Sequence, residues 1–435
     1  MTKGSLRHGA RRSCLAAAAY LSCATGVTAI VDRLLGGHGC FLMFHRVARH
    51  EDWHGQPNRG FYLDAEFLDS LLTRLRRRGW ALLSVGEALE ALSKGVCGRF
   101  VNFSIDDGYR DTFELALPLF RGQNAPITLY LTSGIPDGTF TLWGAGMESI
   151  LREMDRVVLP GQNGPTVIAI PDHRSKRKLF QRLHAQWESE DPISLYQNFC
   201  AANGYSPDEL NVQHAADWEM IRSVRQDRNV EFASHTMSHR RASRLSNTEV
   251  LQELLGSRLR LEQQLHMHVR HLAFPFGRPE DCGERDFQLA RQAGYSTVAT
   301  TVHGVIRTKE AMPFVLPRNS LNGEIQRMAM INAHLAGLSG LIERQATSST
   351  HRAHIVRPGI RSAGAEPHQV RSNEADNGMS TPLSHVGSKC FPTEGRAGTA
   401  VCRVTAGEVA RSLTGPEALP PAALKRETDA PPKLF

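Results

Sequence analysis

The sequence predicts an α/β protein built on a parallel sheet. Three observations carry this. Short apolar runs of strand character recur along the chain. Between them lie segments whose apolar residues follow helical spacing, and strict alternation of the two implies parallel strands joined by helices. Several of the strand-like runs end on His, Asp or a Pro/Gly turn, and the carboxyl ends of parallel strands are where such folds place their chemistry.

The elements follow in order. Cys40-Phe41-Leu42-Met43-Phe44 reads as the first strand and ends at His45. A polar loop with Gly55, Pro57 and Gly60 comes next. Asp64 is placed to cap a helix running to Arg77, with Phe67, Leu68, Leu71, Leu72 and Leu75 on one face. Leu82 to Val85 reads as a short strand and Glu87 to Leu92 as a short helix. Phe100 to Ile105 is a strand running into Asp106-Asp107-Gly108, and Asp111 to Leu117 a helix that Pro118 ends or kinks. Pro126 to Leu131 is the next strand. Residues 140–215 break the rhythm, being polar and mostly helical, and read as an insertion; its basic run Arg174–Lys178 reads as a solvated helix face. The alternation resumes with a strand at Val230 to Ala233, a helix at Thr248 to Gln264, a strand at His271 to Phe274, a helix at Glu284 to Ala293, and a strand at Ser296 to Thr301.

Composition bounds the function. With 41% hydrophobic and 22% charged residues the 435-residue chain has the make-up of a soluble globular protein. The net charge of +7 is diffuse and aromatic content is low, which argues against a nucleic-acid stripe or base-stacking platform. Eight cysteines are scattered without a C-x-x-C pair, so a zinc ribbon or redox motif is not indicated. At the N-terminus Lys3, Arg7, Arg11 and Arg12 precede an apolar stretch from Cys14 to Val31. Residues 1–37 therefore read as a targeting segment or an amphipathic helix. As a signal or anchor, with residues 13–31 at a membrane, they place the protein in the cell envelope; otherwise it is cytoplasmic. Residues 345–435 are rich in Ser, Thr, Ala, Gly and Pro and are predicted to form a disordered tail, because they bury too little to offset ordering.

Four short motifs carry chemistry. Asp106-Asp107-Gly108 puts two carboxylates at a strand end; in extended chain they point opposite ways, so the turn must redirect them if they share a site. His235 and His239, four apart after a strand, form with a carboxylate the two-histidine, one-aspartate set of a metal site with open positions. His45 ends a strand at the same predicted sheet edge. Phe274-Pro275-Phe276-Gly277 ends another strand in a sharp turn whose backbone N–H can meet an oxyanion. A fifth pattern, His50-Glu51-Asp52-Trp53-His54, formally matches H-E-x-x-H of zinc proteases, but it lacks the long helix that chemistry needs and reads as an exposed loop.

Ser104-Ile105-Asp106-Asp107-Gly108-Tyr109, then His235-Thr236-x-x-His239, then Phe274-Pro275-Phe276-Gly277, in this chain order, resemble the polysaccharide deacetylases, carbohydrate esterase family 4, the homology domain of nodulation-type chitooligosaccharide deacetylases. The resemblance spans about residues 38–335. It implies a distorted (β/α) barrel and a metal-dependent N-deacetylase acting on N-acetylated oligo- or polysaccharides. It also implies that Asp107, His235 and His239 hold a divalent cation, zinc or alternatively cobalt. By the same resemblance Asp106 matches the general base, and His45, in Phe44-His45-Arg46-Val47, the general acid. Three positions depart from the family pattern. Ala273 stands where many members carry the arginine that orients the catalytic aspartate, and Arg318 in Leu316-Pro317-Arg318-Asn319 is the candidate substitute. Phe276 replaces the commoner tyrosine, which matters little if its N–H serves the oxyanion, and Ser104-Ile105 replaces Thr-Phe. A non-catalytic carbohydrate-binding module on the same fold is the alternative reading, with the zinc protease behind it.

Overall fold

The computed structural model describes residues 27–344 except 96–97, 162–163, 308–312 and 322. Most of the predicted N-terminal segment and the whole of the predicted tail lie outside the described residues. Within them, Val27–Leu35 forms a helix, and no helix is long and apolar enough to cross a membrane.

The strands of the main sheet are β1 (Gly39–Phe44), β2 (Ala81–Leu82), β3 (Phe100–Asp107), β4 (Ile127–Leu131), β5 (Val230–Ser234), β6 (His271–Ala273), β7 (Thr297–Ala299), β8 (Val315–Leu316) and β9 (Asn319–Ser320). Their order is β8-β7-β6-β5-β4-β3-β1-β9, with β2 beside the start of β3, and every pairing is parallel. The two edge strands are consecutive in the chain, separated only by Pro317 and Arg318. Three residue steps span at most about 11 Å, so the edges must approach each other and the sheet must curl. The result is the distorted (β/α) barrel, closed at its seam by the chain itself rather than by a ladder between β8 and β9.

Alternation along the strands sorts side chains between two layers. Val101, Phe103 and Ile105 of β3 join Leu42, Leu129, Phe232, Leu272 and Val298 in the core under the helices. The opposite face carries Phe41, Phe100, Tyr130 and three alanines on adjacent strands, Ala233, Ala273 and Ala299. These small residues leave room inside the barrel for large polar side chains. The helix α1 (Ala65–Arg77) covers the outside with Leu68, Leu71, Leu72 and Leu75 fully buried, each contributing about 1.5–3 kcal/mol of apolar transfer. Asp64 caps it by accepting from the Glu66 and Phe67 N–H groups.

Local chemistry moves several predicted boundaries. Ser84 and Val85, expected in a strand, open the helix α2 (Val85–Ser93), because Ser84 and Glu87 form a reciprocal capping box. Pro118 does not end the helix after Asp111. A π-turn at Thr112–Ala116 runs into Leu117–Gly122, and the proline sits in the first turn of that second piece, where its missing N–H costs nothing. The loop after His45 contains a short parallel pair, Arg46–Ala48 with Tyr62–Asp64. His50–Trp53, expected as loop, is a single helical turn.

The segment 140–215 packs as α3 (Trp143–Glu153), α4 (His173–Trp187), α5 (Pro192–Asn203) and α6 (Pro207–His214) around its own core of Met147, Ile150, Leu183, Tyr196 and Phe199. It also contains an antiparallel hairpin, Arg156–Leu159 with Thr166–Ala169, that periodicity did not reveal. Lys176 of the basic run is buried and donates to the Arg152 carbonyl at 2.9 Å; its neighbours Arg174 and Lys178 are exposed. After the insertion come α7 (Asn247–Leu265) and α8 (Glu284–Gln292), packed against each other.

Candidate metal centre and its surroundings

The carboxyl ends of β1, β3, β5 and β6 meet at one end of the barrel and bring the motifs together. β3 carries Asp106 on the inward face, opposite Tyr130 of β4. Asp107 then takes a positive φ of 80° and breaks the alternation, so its carboxylate turns toward the same pocket. Its Oδ1 lies 3.4 Å from His235 Nε2 and 3.3 Å from His239 Nε2, while Asp106 Oδ2 is 4.0 Å from His235 Nε2. Asp107, His235 and His239 each offer a ligand atom, all within 4.8 Å of one another.

The donor set suits a divalent cation. Asp107 Oδ1 is buried and has no hydrogen-bond partner, the condition of an atom placed to ligate. His235 Nδ1 stands 2.8 Å from the Ala273 carbonyl, which fixes the N–H there and leaves Nε2 aimed at Asp107. Two imidazoles and one carboxylate are the ligand types of a catalytic zinc site with an open position. Burial pushes the Asp107 carboxyl up, but the adjacent His235 and His239 imidazoles outweigh it and hold the group well below the usual carboxylate range. Burial lowers the His235 pKa, and the neighbouring Asp106 and Asp107 charges reverse that, leaving it raised.

The loop between the two histidines is held by an acid from a helix. Glu253 of α7 is buried and accepts from the Met237 N–H at 2.9 Å and the Ser238 N–H at 2.8 Å, and it also pairs with the Ser238 hydroxyl. On the other side the Gly134 N–H donates to the Met237 carbonyl at 2.9 Å. These bonds sustain positive φ at Thr236 (65°) and His239 (54°). With Asp107 and Phe276 (62°), four of the six non-glycine residues of positive φ among the described residues line this pocket. Such conformations persist where surrounding bonds over-determine them.

Asp106 is fixed by Arg318, the residue of the seam. The guanidinium donates to Oδ1 at 2.6 Å and Oδ2 at 2.8 Å, and its Nε donates to the Thr300 carbonyl at 3.1 Å. It lies over the Tyr130 ring, 5.0 Å from the centroid, with no exposed surface. Ala273, at the departure from the family pattern, is one of the small inward residues beside this space. Burial pushes Asp106 up, and Arg318 outweighs it and keeps the carboxyl lowered.

His45 ends β1, half-buried and stacked on Phe61 at 4.1 Å. Burial lowers its pKa, opposed by the Asp107 and Asp106 charges. The Phe276 ring lies 5.1 Å from that of His239, its carbonyl accepts from Thr301 Oγ1 at 2.6 Å, and Arg241 covers its other side. Thus Asp106, Asp107, His235, His239, Arg318, His45 and Phe276 gather at one end of the barrel. The His50–His54 pattern does not join them. His50 is 59% exposed and bonded to Asp64, and the four-residue helix is too short to present a protease site.

Two features escaped the motif reading. Glu253 was detectable in principle, since it falls on the buried stripe Val250-Glu253-Leu254-Ser257-Leu261, where a carboxylate needs a partner. The buried groups around Arg46, taken up below, have no sequence signal, because their partners lie up to 168 residues away.

Comparison with known proteins bears on the same residues. The family model described as polysaccharide deacetylase matches residues 196–298, which include His235, His239, Glu253 and the Phe274–Gly277 turn. No curated protein matches the chain. Among solved structures it is similar to the Streptococcus pyogenes deacetylase PplD in complex with acetate, at 16% identity and TM-score 0.44, covering 67% of this chain and 95% of that one. It is similar also to a de-N-acetylase from Aggregatibacter actinomycetemcomitans, at 17% identity and TM-score 0.44, covering 68% and 98%. A third is IcaB from Ammonifex degensii, at 14% identity and TM-score 0.45, covering 70% and 99%. The chain thus matches the polysaccharide deacetylase family model over residues 196–298, the stretch that holds both histidines of the cluster and the Phe274–Gly277 turn.

Proposed function

We propose that the protein hydrolyses the acetamide groups of N-acetylglucosamine-containing oligo- or polysaccharides, releasing acetate and a free amine. The observation that carries this is the pairing of a two-histidine, one-carboxylate cluster with a separate buried carboxylate, Asp106, locked beside it by Arg318. Asp107, His235 and His239 hold the divalent cation, zinc or cobalt, which when bound supplies Lewis acidity for water and carbonyl.

The chain's own residues do the rest. Asp106 takes a proton from the attacking water as the new carbon–oxygen bond forms. The Phe276 N–H donates to the oxygen on which negative charge develops. His45 gives a proton to the nitrogen as the carbon–nitrogen bond breaks. Its lowered pKa makes the protonated ring a ready donor. The proton taken by Asp106 and the one given by His45 balance over the cycle by exchange with solvent. Arg318 keeps Asp106 ionised and oriented.

The test is acetate release from a panel of N-acetylglucosamine polymers, with and without chelator. Release that stops on chelation and returns with added zinc or cobalt supports the reading. Sugar binding without acetate release favours the non-catalytic module. Turnover that survives complete cation removal overturns the mechanism.

A further inference from the structure

Resting on that reading, one group of buried charges remains without a part in it. Arg46, the residue after His45, and Asp111, four residues after Asp107, are both nearly buried, with side chains 8% and 12% exposed. Arg46 Nε donates to Asp111 Oδ2 at 2.6 Å, and the Val47 N–H donates to Asp111 Oδ1 at 3.3 Å. One carboxylate therefore grips the chain on the far side of His45 by two bonds. The guanidinium lies between the rings of Tyr62 and Tyr109, 4.5 and 4.6 Å from their centroids. Tyr109 belongs to the Asp106–Asp107 turn, and its ring meets Phe61, on which His45 is stacked.

The insertion completes this group. Glu148 of α3 accepts from the Tyr62 hydroxyl at 2.6 Å and the Asn58 N–H at 2.7 Å, and stands 3.8 Å from Arg46 Nη1. His214 of α6 is 3.3 Å from Arg46 Nη2 and 2.8 Å from Ser149 Oγ. Beyond α6, Ala215 bridges Tyr109 and the Ala216 N–H donates to the Gly108 carbonyl. So the insertion touches both turns that bear Asp106, Asp107 and His45. An ion pair of this burial is weak evidence for stability alone. Its position between two reacting segments gives it another use.

We propose that Arg46 and Asp111 are positioning residues that clamp the His45 turn against the Asp106–Asp107 turn, and that the 143–214 insertion completes the clamp through Glu148 and His214. The clamp sets the distance between the proton donor and the carboxylates across the scissile bond.

The experiment compares the unaltered chain with Asp111→Asn, His45→Ala and the double variant on two substrates. One is an N-acetylglucosamine oligomer, whose amine must be protonated to leave. The other is 4-nitrophenyl acetate, whose phenolate leaves unaided. Asp111→Asn is expected to lower kcat on the oligomer about ten- to hundredfold with KM unchanged, the scale of a small misplacement. On the ester it should lose far less, as His45→Ala does. In the double variant Asp111→Asn should add nothing, since it acts through His45. Equal losses on both substrates, or additive losses in the double variant, overturn the clamp. If His45→Ala itself fails to distinguish the substrates, the general-acid role falls instead. Arg46→Lys, which keeps the charge and loses the planar fork, gives the same comparison should Asp111→Asn not fold.

Discussion

One guanidinium, that of Arg318, takes both oxygens of Asp106, 212 residues earlier in the chain. The pair is sealed inside the barrel, with side chains 1% and 2% exposed. Arg318→Met therefore leaves an uncompensated buried carboxylate and is expected to cost about 3–5 kcal/mol of stability. It should also raise the Asp106 pKa, because Arg318 is the main group that lowers it. The acidic limb of the kcat/KM profile then moves to higher pH. A profile that stays in place while the melting temperature falls would show that Arg318 serves stability alone.

Glu253 gives a separable test of the cation site. Its two oxygens serve two backbone N–H groups and one hydroxyl in the loop between His235 and His239. Glu253→Gln keeps one acceptor and loses the other. Outer-shell changes of this sort cost about 10–100-fold in metal affinity. Competition with a chromophoric chelator reads the affinity directly, and unchanged zinc binding would remove Glu253 from the site.

Acid should weaken the fold over a defined window. His271 and His334 are buried and held neutral, chiefly by desolvation, with pKa values lowered from 6.5 to about 4 and about 3. Below 6.5 the unfolded chain binds protons that the folded chain does not, so stability falls with falling pH. Each histidine contributes about 1.4 kcal/mol per pH unit between its two values. The contribution is whole above pH 6.5 and is lost toward pH 4 for His271 and pH 3 for His334. Denaturant midpoints at pH 8, 6 and 5 measure this, and a flat series would contradict it. His334→Gln should reduce the slope.

Inside the insertion, Gly146 of α3 faces Tyr196 of α5, and a Cβ built there would lie 1.8 Å from the phenolic oxygen. Tyr196 is fully buried and cannot swing away. Gly146→Ala is expected to destabilise by about 1–3 kcal/mol through overpacking. A melting curve checks the loss, and an unchanged curve would mean the two helices slide apart freely.

The sequence was readable where periodicity and local chemistry agree. The strands at Cys40, Phe100, Ile127, Val230 and His271 and the helices at Ala65, Asn247 and Glu284 stand close to their expected places, since apolar spacing and caps such as Asp64 are local signals. The fold's seam was not readable, because β8 and β9 are two residues each and acquire strand form only by pairing with β7 and β1. Asp107 shows the same limit. Two adjacent acids gave no hint of which would break alternation, and that depends on the φ of 80° fixed by its surroundings. The Arg46 cluster was invisible for a further reason: buried charges from the first strand's end and the insertion pair only once the whole chain is folded.

The seam also sets an order of assembly. Arg318 lies in the last link of the barrel, after every other strand but β9. A growing chain that already holds Asp107, His235 and His239 still lacks the guanidinium that neutralises Asp106. Until residue 318 arrives, Asp106 has no such counter-charge, and under the proposed mechanism the proton-accepting half of the chemistry is the final part to come into being.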